Sequence, residues 1–262
     1  MPAPDLPSPI LHLPVARSLA AHLTTAQADP AELRGGVVIM VDALRASTTI
    51  AAALHAGATE VLPTLTVEQA LSRAQSATSR PLLGGERAGQ RIPGFDLGNS
   101  PRDYTPALVS GKQIAFTTTN GTAALLHAAN AGAAEILVGA FANLTAICSR
   151  VAGDPRPVHL LCAGTRDRVT LDDCLAAGAM VDRLLNAGRA LTLGDGGDPA
   201  RLCLAAWRLA QAQGLLDAML ASRGGRNLAS INLQSDILDC CQIDAHPVVP
   251  RFDPVSGVVR AV

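Results

Sequence analysis

Four carboxylates stand where apolar segments give way to polar loops in this 262-residue chain: Asp42 directly after VVIMV, Glu86 inside LLGGERAGQ, and the pair Asp172 and Asp173 shortly after VHLLC. Hard cations such as Mg²⁺ take one or two carboxylates and leave the remaining positions to water and phosphate oxygens, so Asp42, Glu86, Asp172 and Asp173 are the candidate metal ligands. Arg45, Arg87, Arg91, Arg166 and Arg168 fall in the same loops. A guanidinium is a planar fork that binds phosphate, sulfonate or carboxylate in a bidentate manner, and several together point to a small polyanionic ligand. Plainer roles compete with these. Asp42 has the residue type of a helix cap, Asp172 and Asp173 suit the positive end of a helix dipole, and at least one of that pair is expected to do only this. Lys112 is the single lysine, so arginine also carries the ordinary solvated charge of the surface, with Arg91 beside Gln90 the first candidate for that role.

The segment IAFTTTNGTAAL supplies the complementary half of the chemistry. It reads as a strand that runs into a Thr-Thr-Thr-Asn-Gly-Thr turn and then a helix, which leaves backbone N–H groups aimed at an anion. Residues 37–62 and 113–138 share one plan of buried strand, polar turn, Ala-rich helix, Ala-Gly-Ala stop and second strand. A third strand over 158–162 leads through Ala-Gly-Thr-Arg-Asp-Arg to a helix beginning near Thr170. Three strand ends therefore carry anion-suited loops, and in open α/β sheets ligands bind beyond the carboxyl ends of strands. The expected fold class is α/β, a three-layer α/β/α arrangement on a mixed, largely parallel sheet built from repeated strand-loop-helix units. The expected organisation is one domain over 1–262, with two pseudo-repeated lobes, about 1–110 and 111–262, as the variant the repeat allows.

Elsewhere the patterns describe scaffold. Residues 66–77 have a Thr cap and helical spacing. Residues 82–101 show no period and are dense in Gly, Pro, Asp and Asn, which predicts a long ordered loop anchored by Ile92, Phe95 and Leu97. Residues 175–185 and 200–220 read as helices, the second carrying Trp207 into the core. The segment from Ser230 onward reads as a helix end followed by an edge strand or an unpaired tail, because Pro247 and Pro250 restrict pairing.

Composition narrows the function classes. A formal net charge of −1 and 2% aromatic residues supply neither the electrostatic footprint nor the stacking surfaces of a nucleic-acid binder. No apolar run has the length of a membrane span and the N-terminal MPAPDLPSPILHLP lacks the pattern of a secretion signal, so a cytoplasmic protein is expected. Six cysteines without CxxC spacing read as small buried hydrophobes, and scattered histidines give no zinc motif. The oligomeric state is left open, a homo-oligomer included. One rival constellation remains: Cys162 to Arg168 spells C-x5-R between a strand and a helix, the spacing by which cysteine phosphatases wrap a phosphate around a thiolate. Leu161 precedes the cysteine where those enzymes carry His.

Taken in order, VDALRASTTI, GGERAG with IPGFDLGNSP, TTTNGT, CAGT followed by LDD, and the tail SDILDCCQIDAHPVVP resemble the 2-phosphosulfolactate phosphatase family over nearly the whole chain. The resemblance implies a Mg²⁺-dependent hydrolase of the coenzyme M route that converts 2-phospho-3-sulfolactate to 3-sulfolactate and phosphate on a three-layer α/β/α fold. Carried over motif by motif, it places Asp42, Arg45, Ser47 and Thr48 in the first site loop, and Glu86 and Arg87 in the second. Asp96, Asn99 and Ser100 fall in the third, and Asn120, Gly121 and Thr122 in the fourth. The fifth loop departs from the family pattern, with Asp167 where the family has Gly and Asp172 where it has Glu; Arg168 and Asp173 are retained.

The combined expectation is metal-assisted hydrolysis of a small anionic phosphomonoester. Asp42, Glu86, Asp173 and Arg168 are assigned catalytic roles. Arg45, Ser47, Thr48, Arg87, Asn99, Ser100, Thr119, Asn120, Gly121, Thr122 and Thr165 are assigned to substrate. A phosphatase for another small phosphorylated carboxylic acid and a non-catalytic anion-binding protein are the alternatives, since helix N-termini bind phosphate without cleaving it.

Overall fold

A computed structural model describes residues 17–187, 191–193 and 197–262. The N-terminal segment read for a secretion signal lies outside them. Eleven strands form one mixed sheet: β1 (Arg17–His22), β2 (Val37–Val41), β3 (Glu60–Thr64), β4 (Leu82–Arg87), β5 (Gln90–Arg91), β6 (Gln113–Thr117), β7 (Glu135–Gly139), β8 (Val158–Cys162), β9 (Leu191–Thr192), β10 (Pro250–Asp253) and β11 (Val258–Ala261). Their spatial order is β5-β4-β6-β3-β11-β10-β7-β2-β8-β1-β9. The helices are α1 (Pro30–Leu33), α2 (Ala46–His55), α3 (Val67–Ser76), α4 (Pro106–Val109), α5 (Gly121–Asn130), α6 (Leu144–Ala152), α7 (Leu171–Asn186), α8 (Asp198–Gln213), α9 (Leu215–Ala221), α10 (Arg223–Ser230) and α11 (Gln234–Cys240).

Strand β2 shows why the molecule has three layers. All five of its residues are fully buried, as a central parallel strand requires. Successive side chains point to opposite faces. Val37, Ile39 and Val41 pack into a cluster with Ile147, Met180 and Trp207 of α6, α7 and α8, while Val38 and Met40 pack against Ile50 and Leu125 of α2 and α5. Helix α7 approaches α8 so closely that a Cβ on Gly178 would lie 2.1 Å from the carbonyl oxygen of Cys203. None of the described helices is long and apolar enough to cross a membrane.

The two repeated units are present as β2-α2-β3 and β6-α5-β7. They interleave: β2 pairs in parallel with β7, and β3 with β6. Between the resulting blocks sits the β10-β11 hairpin, antiparallel to β7 on one side and to β3 on the other. The tail is therefore a central hairpin and not the expected edge strand. Pro250 is accommodated at the first position of β10, where a missing donor is tolerated.

Two further expectations are corrected. Residues 82–101 are not wholly loop, because β4 lies parallel to β6 and turns back through β5. Its glycines hide it: Gly85 has φ +139° and a Cβ there would stand 2.0 Å from Thr117 O, so only glycine lets the strands approach. The rest of the segment is ordered on buried Ile92, Phe95 and Leu97, as its apolar anchors predict. The helix expected over 200–220 is two helices, broken at Gly214 with φ +116°. Helix α3 begins at Thr66, whose hydroxyl accepts the Gln69 N–H at 3.2 Å, as expected.

Candidate active site

Loops after β2, β4, β6 and β8, together with α10, enclose a cleft of about 530 Å³. Asp42, Glu86, Asn99, Asn120 and Thr165 line it, as do Arg45, Arg87, Arg166 and Arg223. Buried strands fix where each loop departs, so its polar residues meet beyond the sheet.

Asp42 directly follows β2 and is 8% exposed. One oxygen accepts the Ala46 N–H at 3.3 Å, and its own N–H donates to Ser47 Oγ at 2.9 Å. Burial pushes the carboxyl up to about 7, Asp172 and Glu86 push the same way, and the Ala46 N–H and Arg45 oppose them. Gly121 makes room for the group: a Cβ there would be 3.0 Å from Asp42 Oδ2. Helix α5, which begins at Gly121, has no side-chain cap, so its first-turn N–H groups are left for an anion.

Glu86 is tightly held. Oε1 accepts both the N–H (2.8 Å) and the hydroxyl (2.7 Å) of Thr119, and Oε2 accepts the Gly89 N–H at 2.7 Å. Asp173 accepts the Ala43 N–H at 2.8 Å and the Gly164 N–H at 2.9 Å, and is 2% exposed. Burial, then Asp172 and Asp42, hold its carboxyl well above the usual range. Asp172 is also raised, chiefly by burial, and packs beneath Gly224, where a Cβ would lie 2.8 Å from Oδ2. Neither of the pair lines the cleft wall; Asp173 joins α7 to the loops after β2 and β8, and Asp172 joins it to the start of α10. Among the described residues no three imidazole, thiol or carboxyl groups gather as a preformed metal set. The fit to Mg²⁺ rests on other features: Asp42 and Glu86 at the cleft, and buried Asn99 Oδ1 and Thr118 Oγ1 without a hydrogen-bond partner among the described residues. Two carboxylates and hard oxygen donors are what this cation takes from a protein.

The other expected residues divide between cleft and scaffold. Arg45 is 3% exposed and bonds Asp236 and Gly89 O. Thr48 Oγ1 donates to Ala43 O at 3.3 Å, and Ser100 Oγ to Asp236 Oδ1 at 2.8 Å. Ser47 and Thr122 are buried, Thr119 is exposed, and Asp96 accepts the Leu83 N–H at 2.8 Å. Arg91 points to solvent and Arg168 is exposed outside the cleft lining. Thr165 and Arg168 instead close a turn by exchanging N–H···O bonds of 2.9 and 3.1 Å. Its central Arg166 (φ +51°) and Asp167 (φ +56°) are left-handed, the conformation glycine favours and aspartate tolerates. Asp167 therefore changes charge at an exposed tip without preventing the turn.

Cys162 is fully buried among Cys174, Cys203 and Leu175, away from the cleft lining. Hydrogen bonding to Cys174 and burial push its thiol well up, so the C-x5-R reading lacks both access and a thiolate. Sequence reasoning missed Arg223, Asn227 and Asp236. The polar cluster SRGGRN, breaking into an apolar helical stretch, was the available signal for the first two.

A sequence model of 2-phosphosulpholactate phosphatase matches residues 22–254. The chain belongs to that family. It is 39% identical over 224 residues to a probable 2-phosphosulfolactate phosphatase of Symbiobacterium thermophilum, covering 84% of this chain and 93% of the relative. A protein of the same description from Caldanaerobacter subterraneus is 35% identical (87% and 92% covered), and one from Deinococcus radiodurans 37% (85% and 90%). Membership in the 2-phosphosulfolactate phosphatase family places the chain among phosphoric monoester hydrolases.

Proposed function

We propose that the chain hydrolyses 2-phospho-3-sulfolactate to 3-sulfolactate and phosphate with Mg²⁺ as cofactor, in the route to coenzyme M. The observation that carries the reading is the meeting of Asp42 with the uncapped start of α5 across Gly121, which sets a carboxylate beside an anion cradle. Carboxylates repel phosphate unless a cation intervenes. Asp42 and Glu86 would hold Mg²⁺, which when bound neutralises charge and polarises a phosphoryl oxygen.

The chain's own residues position the reactants. First-turn N–H groups at Gly121 and Thr122 receive phosphate oxygens, where developing charge is stabilised by dipoles fixed in advance. Glu86 holds the preceding Thr119 at two points, which fixes the turn that leads into the cradle. Asp173 locks the loops after β2 and β8 together and keeps Asp42 in register with them. Phosphoryl transfer demands mainly positioning and charge stabilisation, which matches this division of labour.

Phosphate release from 2-phospho-3-sulfolactate, measured with Mg²⁺ and again after chelation, tests the proposal. Metal-dependent release is expected. Release from other phosphorylated carboxylic acids but not from this one would favour a different substrate on the same site.

A further inference from the structure

Four arginines border the cleft, and two of them are already engaged. Arg45 gives one Nη to Asp236 and the other to Gly89 O at 2.6 Å. Arg87 donates to Glu86 O (2.7 Å), Leu65 O (3.1 Å) and Thr117 Oγ1 (2.9 Å). These guanidinium groups tie the site loops together. Arg166 makes no hydrogen bond or ion pair among the described residues, and Arg223 makes one long contact, 3.5 Å to Thr165 O. An arginine without a carboxylate partner inside a concave site is a cation awaiting an anion.

Arg223 is also unusually well placed. Ser222 is 2% exposed and caps α10, its hydroxyl accepting the Gly225 N–H at 2.9 Å. Gly225 lies against α9, where a Cβ would stand 2.0 Å from Met219 O, and Gly224 rests on Asp172. Bulkier residues at either position would lift the helix start off its supports. The backbone that carries Arg223 is therefore anchored on both sides, and its side chain meets the Thr165-Arg166 turn at the cleft.

We infer that Arg223, with Arg166 beside it, forms the subsite for the sulfonate, one of the two anionic groups the substrate carries besides its phosphate, and so determines specificity within the phosphatase reading on which this rests. The phosphate cradle at α5 and the carboxylates at Asp42 and Glu86 account for one end of the ligand. Two free guanidiniums at the Thr165 turn account for the other. A sulfonate offers three oxygens in a tetrahedral array, which two converging forks can share, whereas a planar carboxylate is satisfied by one.

Arg223→Gln and Arg166→Gln test the inference with two substrates and one ligand. For 2-phospho-3-sulfolactate, the KM of Arg223→Gln should rise at least tenfold more than its KM for 2-phospholactate, which keeps the carboxylate and lacks the sulfonate; Arg166→Gln should move in the same direction, and Arg223→Lys should fall between. Equal effects on both substrates, or none, would overturn the assignment. Calorimetric binding of 3-sulfolactate is a readout independent of turnover. At least tenfold weaker binding to Arg223→Gln than to the wild type supports the subsite even if neither phosphoester is hydrolysed, in which case it is the hydrolytic reading that fails. Equal binding, or no binding by the wild type, overturns it.

Discussion

Asp173 accepts the backbone N–H of Ala43 at 2.8 Å, and through that bond a helix that follows β8 grips the loop that follows β2. Its other oxygen takes the Gly164 N–H, so a single carboxylate spans two of the loops that form the cleft. Asparagine in its place keeps one acceptor and presents an amide to the second N–H. Asp173→Asn is expected to cost about 1–3 kcal/mol of stability, the penalty of a buried donor left unpaired. It should also lower kcat through misplacement of Asp42. Urea unfolding alongside steady-state kinetics reads both.

Asp42 gives a prediction of opposite sign for stability. Its folded-state carboxyl titrates at about 7, above the ordinary value, so the stability this group contributes is complete at low pH and is lost as pH rises toward 7. Asp42→Asn retains an acceptor for Ala46 and removes that loss. Without added metal at pH 8 the variant should melt about 5 °C higher than the wild type, with the difference shrinking toward pH 5. Mg²⁺ should raise the melting temperature of the wild type and leave the variant unmoved, and turnover should disappear. A variant with near-normal turnover would remove Asp42 from the site.

Chelation and thiol alkylation separate metal-assisted from cysteine chemistry. With Cys162 fully buried and its thiol pushed up, the native enzyme should resist an alkylating agent and lose activity to EDTA. Cys162→Ala should keep most of its turnover, at a stability cost of about 1 kcal/mol for a small buried side chain. Activity that survives EDTA and dies on alkylation would reverse the assignment.

A buried imidazole pair governs acid stability on the face of the sheet that carries α2 and α5. His22 Nε2 and His159 Nδ1 stand 3.2 Å apart, and burial, then His22, lowers His159 to about 4. A folded-state value below the unfolded one means that the unfolded chain takes the proton first, so stability falls as pH drops from about 6.5 toward 4. Glu32, 3.8 Å from His22, opposes this only weakly from an exposed position. His159→Gln should narrow the difference in unfolding free energy between pH 7.5 and pH 5 by about 1 kcal/mol.

Much of this architecture was legible in local sequence because its signals are local. The two strand-turn-helix-strand units, the Thr66 cap and the burial of Trp207 follow from periodicity and turn chemistry over a dozen residues. Strand β4 escaped because its glycines serve a contact with Thr117, thirty-two residues later in the chain than Gly85, and no local pattern records such an approach. The central hairpin escaped because its prolines read as edge residues until the position of Pro250 in the ladder was known.

For the site, sequence alone determined the ingredients: carboxylates and arginines on loops that follow apolar strands, a polar turn that opens a helix, and the motif order that marks the family. Tertiary structure decided how each was used. Arg45 and Ser100 are taken up by Asp236, nearly two hundred residues from Arg45, while Arg223 reaches the cleft from a helix whose sequence carries no phosphate motif. Residue type sets what a side chain can bind, and that is local. Whether it remains free to bind depends on which partners the folded chain brings within hydrogen-bonding distance, and those come from anywhere along it.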